Sequence, residues 1–236
     1  MSGRVAPVTP KRKRAPPTSP PKAPTKRKRP RASEALEAEA DAEVQEYLGR
    51  FRGAQNDAAI MTKLRAVAAG GPDGNSGLYE FIKAYGVVRT FAGLRADSVQ
   101  CLAPIVRHLR SKWPALQCLQ PEAAVAHVEA LAEACVAAGF HRNTSFASKA
   151  LNMLGCPVPL YSSEGKAYCR LPASAGYCAF MEAWTREYEP RRAAYETAAA
   201  ARLDGDAPLE RALGPAWFAM RGFDVHLLAV GGPMRK

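Results

Sequence analysis

Basic residues and prolines are concentrated at the start of this 236-residue chain, and that concentration restricts where folding can begin. Residues 1–33 contain eleven lysines and arginines, eight of the nineteen prolines and no acidic residue. Proline at this density interrupts helices, and mutual repulsion of like charges opposes collapse. We therefore predict a disordered arm over residues 1–33 and a globular domain over residues 34–236.

The net charge of the chain lies in this arm. The full sequence has 33 Lys+Arg and 22 Asp+Glu, a formal net charge of +11. Removing the arm's eleven basic residues leaves 22 of each sign, so residues 34–236 are formally neutral. A neutral domain with a cationic arm is unlike a uniformly basic coat protein for nucleic acid.

The arm contains two compact basic clusters separated by a linker of proline, serine and threonine. Such clusters are typical of nuclear-import signals, and they also attract nucleic-acid phosphates without sequence preference. We expect double-stranded DNA and a nuclear import receptor as partners, and the nucleus as the location; a solubilising tail is the alternative. The candidate nucleic-acid-binding residues of the arm are Lys11, Arg12, Lys13, Arg14, Lys26, Arg27, Lys28, Arg29 and Arg31.

The sequence predicts no membrane span, no cofactor and no metal. No stretch of about 18 residues is free of charge, which argues against a spanning helix. The apolar core of a secretory signal is also missing, so we expect the six cysteines to be reduced and mostly buried. A zinc site built from Cys135, His141, Cys156 or Cys169 is the alternative.

Helix start and stop signals recur along residues 34–236, whereas strand-like alternation is almost absent. Apolar residues follow helical spacing, and the many alanines favour helix. We predict an all-α domain without internal repeats. Its expected boundaries are a cap at Ser33, a start at Asn56 or Asp57, a loop over residues 73–76, a break at Pro104, a start at Pro121 and a stop at Gly139.

Residues 121–170 contain the candidate site. Two predicted helices are joined by a short connection, and free backbone amides at such a connection can bind a phosphate. On a helical wheel, the polar side chains lie opposite the apolar stripe, and a solvated face is the simplest explanation; they are Ser145, Ser148, Lys149 and Asn152. The candidate nucleic-acid-binding residues of this region are His141, Arg142, Asn143 and Ser145.

One run in this region resembles a known signature. The residues Phe146-Ala147-Ser148-Lys149-Ala150-Leu151, followed by Pro157-Val158-Pro159-Leu160-Tyr161, are similar to a motif of bacterial 8-oxoguanine-glycosylase-like proteins. These proteins belong to the helix-hairpin-helix DNA glycosylase superfamily. The ending Arg221-Gly222-Phe223-Asp224 resembles the closing helix of the same family. The likeness spans about residues 80–230, although its specific part covers some twenty residues.

The resemblance implies a helix-hairpin-helix glycosylase-like fold and a chemical role for Lys149. In bifunctional glycosylases, a lysine at this place attacks the sugar C1′ carbon, expels the base and forms a Schiff base. Such a lysine needs a lowered pKa, because only the neutral amine is nucleophilic. The target base must also be flipped out of the stack. The aromatic residues that either line such a pocket or belong to the core are Trp113, Phe146, Phe180 and Trp184.

The sequence departs from the family pattern at two places. The family aspartate after the tyrosine is replaced by Ser162, and Glu164 follows two residues later. A carboxylate stabilises the positive charge that develops on the sugar, and a serine does not. The connection before the second helix also lacks the Gly-x-Gly turn that lets the backbone approach a phosphate.

These departures lead to three hypotheses. The first is a nuclear DNA-binding protein with a glycosylase-like domain that lacks full glycosylase activity. The second is an active repair glycosylase/lyase with Lys149 as the nucleophile, assisted by Glu164 or Ser162. The third is a structural or DNA-packaging protein, for instance of a large DNA virus, that binds DNA through its arm and self-associates through its globular domain.

Overall fold

The computed structural model describes residues 32–53, 56–116 and 121–231. These residues form α-helices and short 3-10 turns, with no strand in any of the three ranges, which confirms the all-α prediction. Both basic clusters of the arm lie outside the described residues, so the predicted disorder of the arm stays a prediction.

The helices follow one another through short connections. Their bounds are α1 (Ala32–Arg52), α2 (Asp57–Ala68), α3 (Gly74–Ala84), α4 (Ala103–Leu116), α5 (Pro121–Ala137), α6 (Thr144–Met153), α7 (Ser163–Tyr168), α8 (Tyr177–Tyr188), α9 (Arg192–Arg202) and α10 (Pro208–Gly231). The 3-10 turns are Val88–Thr90, Ala96–Leu102 and Glu189–Arg191.

Several boundaries fall where the sequence predicts them. Asn56 caps α2, because its side-chain oxygen accepts a hydrogen bond from the Ala59 N–H at 3.1 Å. Pro121 begins α5, and Gly139 follows the end of that helix with φ of +85°, a conformation that glycine adopts easily. Pro104 is the second residue of α4, so the break falls just before it, where the 3-10 turn ends at Leu102.

Two boundary predictions are wrong. Ser33 does not cap α1, because that helix already includes Ala32. The predicted loop over residues 73–76 is instead the start of α3, with Asp73 preceding the helix at Gly74. Glycine and polar residues are common in loops, but they are also frequent in the first turn of a helix. The local sequence over residues 73–76 therefore does not distinguish a loop from a helix start.

The centre of the fold is the second half of α10. Every residue from Trp217 to Leu227 is buried, because α1, α7 and α9 pack around this helix. Gly222 permits a close approach of α10 to α1: a Cβ there would lie 2.7 Å from Val44 Cγ2 of α1. The core between α1 and α10 is aromatic, with the rings of Phe51 and Phe218 packed edge to face at 5.0 Å.

The remaining helices form the layer that positions the candidate site. Helix α2 packs against α3, α4 and α6, while α5 packs against α4, α6 and α8. Helix α6 is therefore covered on several sides, and seven of its ten residues are buried. None of the described helices has both the length and the apolar composition needed to cross a membrane.

The cysteines in the described part of the chain are free thiols, as the sequence predicts. Burial raises the pKa of the Cys135 and Cys156 thiols to about 12, so both stay protonated. Within the described ranges, Cys135, His141, Cys156 and Cys169 do not form a cluster suited to a shared metal ion.

Candidate functional site

The site is built on α6 and on the extended segment 155–162 that follows it. Asn143 caps α6 by accepting a hydrogen bond from the Phe146 N–H at 3.0 Å, which fixes where the helix begins. Ser148 Oγ accepts from the Tyr161 N–H at 3.0 Å, and Asn152 Nδ2 donates to the Val158 carbonyl at 2.8 Å. Two side chains of α6 thus hold the segment against the helix.

The polar side of α6 is therefore not a solvated face. Ser148 and Asn152 are both 0% exposed, and Trp217 of α10 donates its indole N–H to the Asn152 carbonyl at 3.1 Å. The simplest explanation of the helical wheel is wrong because that wheel cannot show the segment that folds back over this face. Buried polar groups persist when they are hydrogen-bonded, and here they satisfy backbone groups of that segment.

Lys149 is the exception on this side of α6. Its side chain is half-buried, and among the described residues its amine has no hydrogen-bond or ion-pair partner. Burial lowers the pKa of Lys149; the Glu164 carboxylate opposes that shift, and the Arg221 guanidinium adds to it. A half-buried amine with a lowered pKa is more often neutral, and hence more nucleophilic, than a solvated lysine.

The two residues proposed to assist Lys149 have different roles. Ser162 caps α7, because its Oγ accepts a hydrogen bond from the Gly165 N–H at 2.9 Å. Glu164 lies in the first turn of α7, where Ser163 Oγ donates to its carboxylate at 2.9 Å. Glu164 therefore raises the pKa of Lys149 through its charge without forming an ion pair with it, while the Ser162 oxygen is engaged in capping.

A buried ion pair lies on α10 behind this segment. Arg221 Nη1 donates to Asp224 Oδ2 at 2.8 Å, and the Arg221 guanidinium lies 4.5 Å from the centre of the Tyr47 ring. Burial raises the pKa of Asp224 to about 6, although Arg221 and the Leu160 N–H stabilise its charged form. The contact with the Arg221 guanidinium therefore stabilises a carboxylate charge that burial disfavours.

Sequence reasoning gave this pair no role. The signal was present, since two opposite charges three residues apart stood inside an apolar run that had to be buried. The Leu160 backbone also lowers the pKa of Asp224, so the pair lies close to the segment that α6 holds.

The hairpin before α6 is separate from Lys149. Arg142 forms ion pairs with Glu129 and Glu133 of α5, and His141 is exposed beside it. Asn143 is buried and donates to the Thr90 hydroxyl, while Ser145 is half-buried. Lys149 lies six positions after Asn143, a rise of about 9 Å along the helix axis.

These contacts change the expectation for the hairpin. Arg142 already binds two carboxylates, so a phosphate would have to compete with them for its guanidinium.

The aromatic residues that could line a base pocket belong to the core instead. Phe146, Phe180 and Trp184 are buried in it, and Trp113 packs at its edge.

Comparison of the chain with protein-family models, curated proteins and solved structures finds no match in any of the three. The helix-hairpin-helix glycosylase assignment therefore stays a prediction based on the motif around Lys149.

Proposed function

We propose that this chain is a nuclear DNA-binding protein whose helical domain carries a reactive lysine without full glycosylase activity. The observation that carries the proposal is the environment of Lys149, a half-buried amine with a lowered pKa and no hydrogen-bond or ion-pair partner among the described residues. The basic arm supplies DNA attachment, and the domain supplies the amine.

The chemistry that suits this environment is attack on an aldehyde. At an abasic site, the open sugar presents a C1′ aldehyde, and a neutral amine adds to it to form an imine with loss of water. This step needs no carboxylate to stabilise an oxocarbenium ion. Excision of a base does need one, and Ser162 stands where the glycosylase family has its aspartate.

Trapping with borohydride tests the role of Lys149. We expect the full chain to form a covalent adduct with duplex DNA containing an abasic site, because borohydride reduces the imine to a stable amine. Lys149→Ala should lose the adduct, whereas Lys63→Ala, which removes an exposed lysine of α2, should keep it. An adduct that persists in Lys149→Ala would mean that another lysine reacts, and it would refute this assignment.

Attachment through the arm is tested separately. Replacing the eight residues of the two clusters by glutamine in the full chain should weaken binding to undamaged duplex DNA. The slope of log K against log salt is negative, and each lost phosphate contact reduces its magnitude by about 0.9, so the slope should become less steep by up to about 7. An unchanged slope would exclude the arm as the attachment site. If the arm carries all binding and Lys149 forms no adduct, the packaging hypothesis is favoured.

A full glycosylase is the second candidate, and Glu164 favours it. Glu164 is the carboxylate that acts on the pKa of Lys149, so it is placed to stabilise positive charge near that amine. Release of free base from duplexes containing oxidised purines would establish this activity, and Glu164→Gln should then abolish release while abasic-site trapping persists.

A further inference from the structure

Two carboxylates and an imidazole meet where α1 crosses α10. Glu39 and Glu43 lie one turn apart on the same face of α1, and His226 projects from α10. His226 Nδ1 is 2.8 Å from Glu43 Oε1 and 3.2 Å from Glu39 Oε1, and each of the three residues offers a ligand atom within 4.8 Å of those of the other two. We propose that Glu39, Glu43 and His226 bind a divalent transition-metal ion of the zinc type.

The spacing of the three atoms suits such an ion. Zinc binds imidazole nitrogen and carboxylate oxygen at about 2.0–2.2 Å, which places tetrahedral ligand atoms about 3.3–3.5 Å apart. The 3.2 Å distance from His226 to Glu39 is shorter than this by about 0.1–0.3 Å, and the 2.8 Å distance to Glu43 by about 0.5–0.7 Å. Glu39, which is 45% exposed, can rotate freely, whereas Glu43 is 14% exposed and must turn about the oxygen that Tyr195 holds.

The residues around the cluster orient its ligand atoms. His226 is 5% exposed, its Nε2 lies 3.3 Å from the Tyr168 hydroxyl, and its ring stacks on Phe223 with an interplanar angle of 13°. The second oxygen of Glu43 accepts a hydrogen bond from the Tyr195 hydroxyl. Metal-binding histidines and carboxylates are typically held by such outer contacts, which here leave Nδ1 facing both carboxylates.

The charge of the cluster also favours a cation. One imidazole N–H can be given fully to only one of the two carboxylates, so negative charge remains in excess. Arg191 is the nearby cation that acts on the pKa of Tyr195. It is paired with Glu187 instead of the cluster, because it donates to the Glu187 carbonyl at 2.8 Å and lies 3.8 Å from the Glu187 carboxylate. A divalent ion would neutralise both Glu39 and Glu43, and the exposed side of Glu39 leaves room for a water ligand.

The site would fasten α1 to the central helix. Glu39 and Glu43 lie on the first helix and His226 on the last, so a bound ion would cross-link the two ends of the helical domain. This role is independent of Lys149, which lies on α6.

Titration of the tag-free full chain, freed of metal by a chelator, tests the proposal. With Zn²⁺ we expect one ion per chain, and a melting temperature that rises by about 5 °C or more at a hundredfold excess over Kd. Glu39→Gln should weaken binding at least tenfold without changing the melting temperature of the metal-free protein. Glu37→Gln, which removes an exposed carboxylate two residues away on α1, should bind as the unmodified chain does.

Co²⁺ identifies the ligands. Visible absorption bands of four-coordinate cobalt are expected in the unmodified chain and in Glu37→Gln, and are expected to vanish in Glu39→Gln. Thiolate-to-cobalt charge transfer would place the ion on cysteine and overturn the proposal. Equal affinity of Glu39→Gln and Glu37→Gln for the ion would also overturn it, and so would a stoichiometry other than one ion per chain. His226→Gln should also abolish binding of the ion. His226 is buried, so this variant could fail to fold, and in that case the exposed Glu39 still provides the test through Glu39→Gln.

Discussion

Replacing Ser148 by alanine tests whether α6 holds the segment 155–162 through its polar side. The Ser148 hydroxyl is fully buried, accepts from the Tyr161 N–H at 3.0 Å and donates to the Ser145 carbonyl at 3.2 Å. Alanine removes the acceptor and leaves the Tyr161 N–H without its partner. Leaving a buried donor unsatisfied costs about 1–3 kcal/mol, so we expect a loss of about 2 kcal/mol in the free energy of unfolding.

Urea denaturation followed by tryptophan fluorescence measures this loss. At an m value of about 2–3 kcal/mol/M, a change of 2 kcal/mol lowers the midpoint by about 0.7–1 M. The melting temperature should fall by about 4–8 °C for a domain of this size. Hydrogen exchange gives a local measure, because the Tyr161 amide should exchange faster in Ser148→Ala.

A substitution one turn earlier provides the control. Ser145 is half-buried on the same helix, and its hydroxyl has no hydrogen-bond partner among the described residues, so Ser145→Ala should change stability by less than about 0.5 kcal/mol. If Ser148→Ala has an equally small effect, the serine faces solvent and the inferred contact with the segment is refuted.

Four further predictions concern the core, the kink of α10 and the cysteines. Phe223→Ala should lower the free energy of unfolding in urea by about 3–5 kcal/mol, because this buried ring packs against four neighbouring aromatic side chains and a histidine. Gly214→Ala should cost about 1–3 kcal/mol in the same assay, since φ of +73° and ψ of 167° at the kink of α10 strain any other residue. The free energy of unfolding should fall as pH rises above about 8.5. The unfolded chain then loses thiol protons that Cys135 and Cys156 keep up to about pH 12 in the folded protein. Urea denaturation at several pH values from 7 to 10 should therefore show a falling urea midpoint. In the native protein at pH 8, a thiol reagent should modify the exposed Cys178 long before those two cysteines.

The helices could be predicted because their signals are local. Asn56, Pro121 and Gly139 act on the backbone next to them, so their effect on α2 and α5 is readable without knowing the rest of the fold. The buried face of α1 was likewise predictable, since Val44, Leu48 and their neighbours recur at helical spacing. The predicted loop at residues 73–76 failed because its glycines and polar residues also fit a first helical turn.

The candidate site was predictable only in part. The motif pointed to Lys149, but the burial that lowers its pKa comes from packing that the α6 sequence does not contain. Arg142 was expected to meet phosphate, whereas Glu129 and Glu133 of α5 bind it because the hairpin folds α5 back beside α6.

The sequence by itself determined the all-α class and the separation of a cationic arm from a neutral domain. Both follow from composition and from spacing along a single segment, which need no partner. Only the tertiary structure decided that Ser148 binds the segment after α6, that Asp224 pairs with Arg221 beside it, and that Glu43 meets His226. A helical period shows which residues share a face, but the helix or segment that covers this face is chosen by packing across the whole chain.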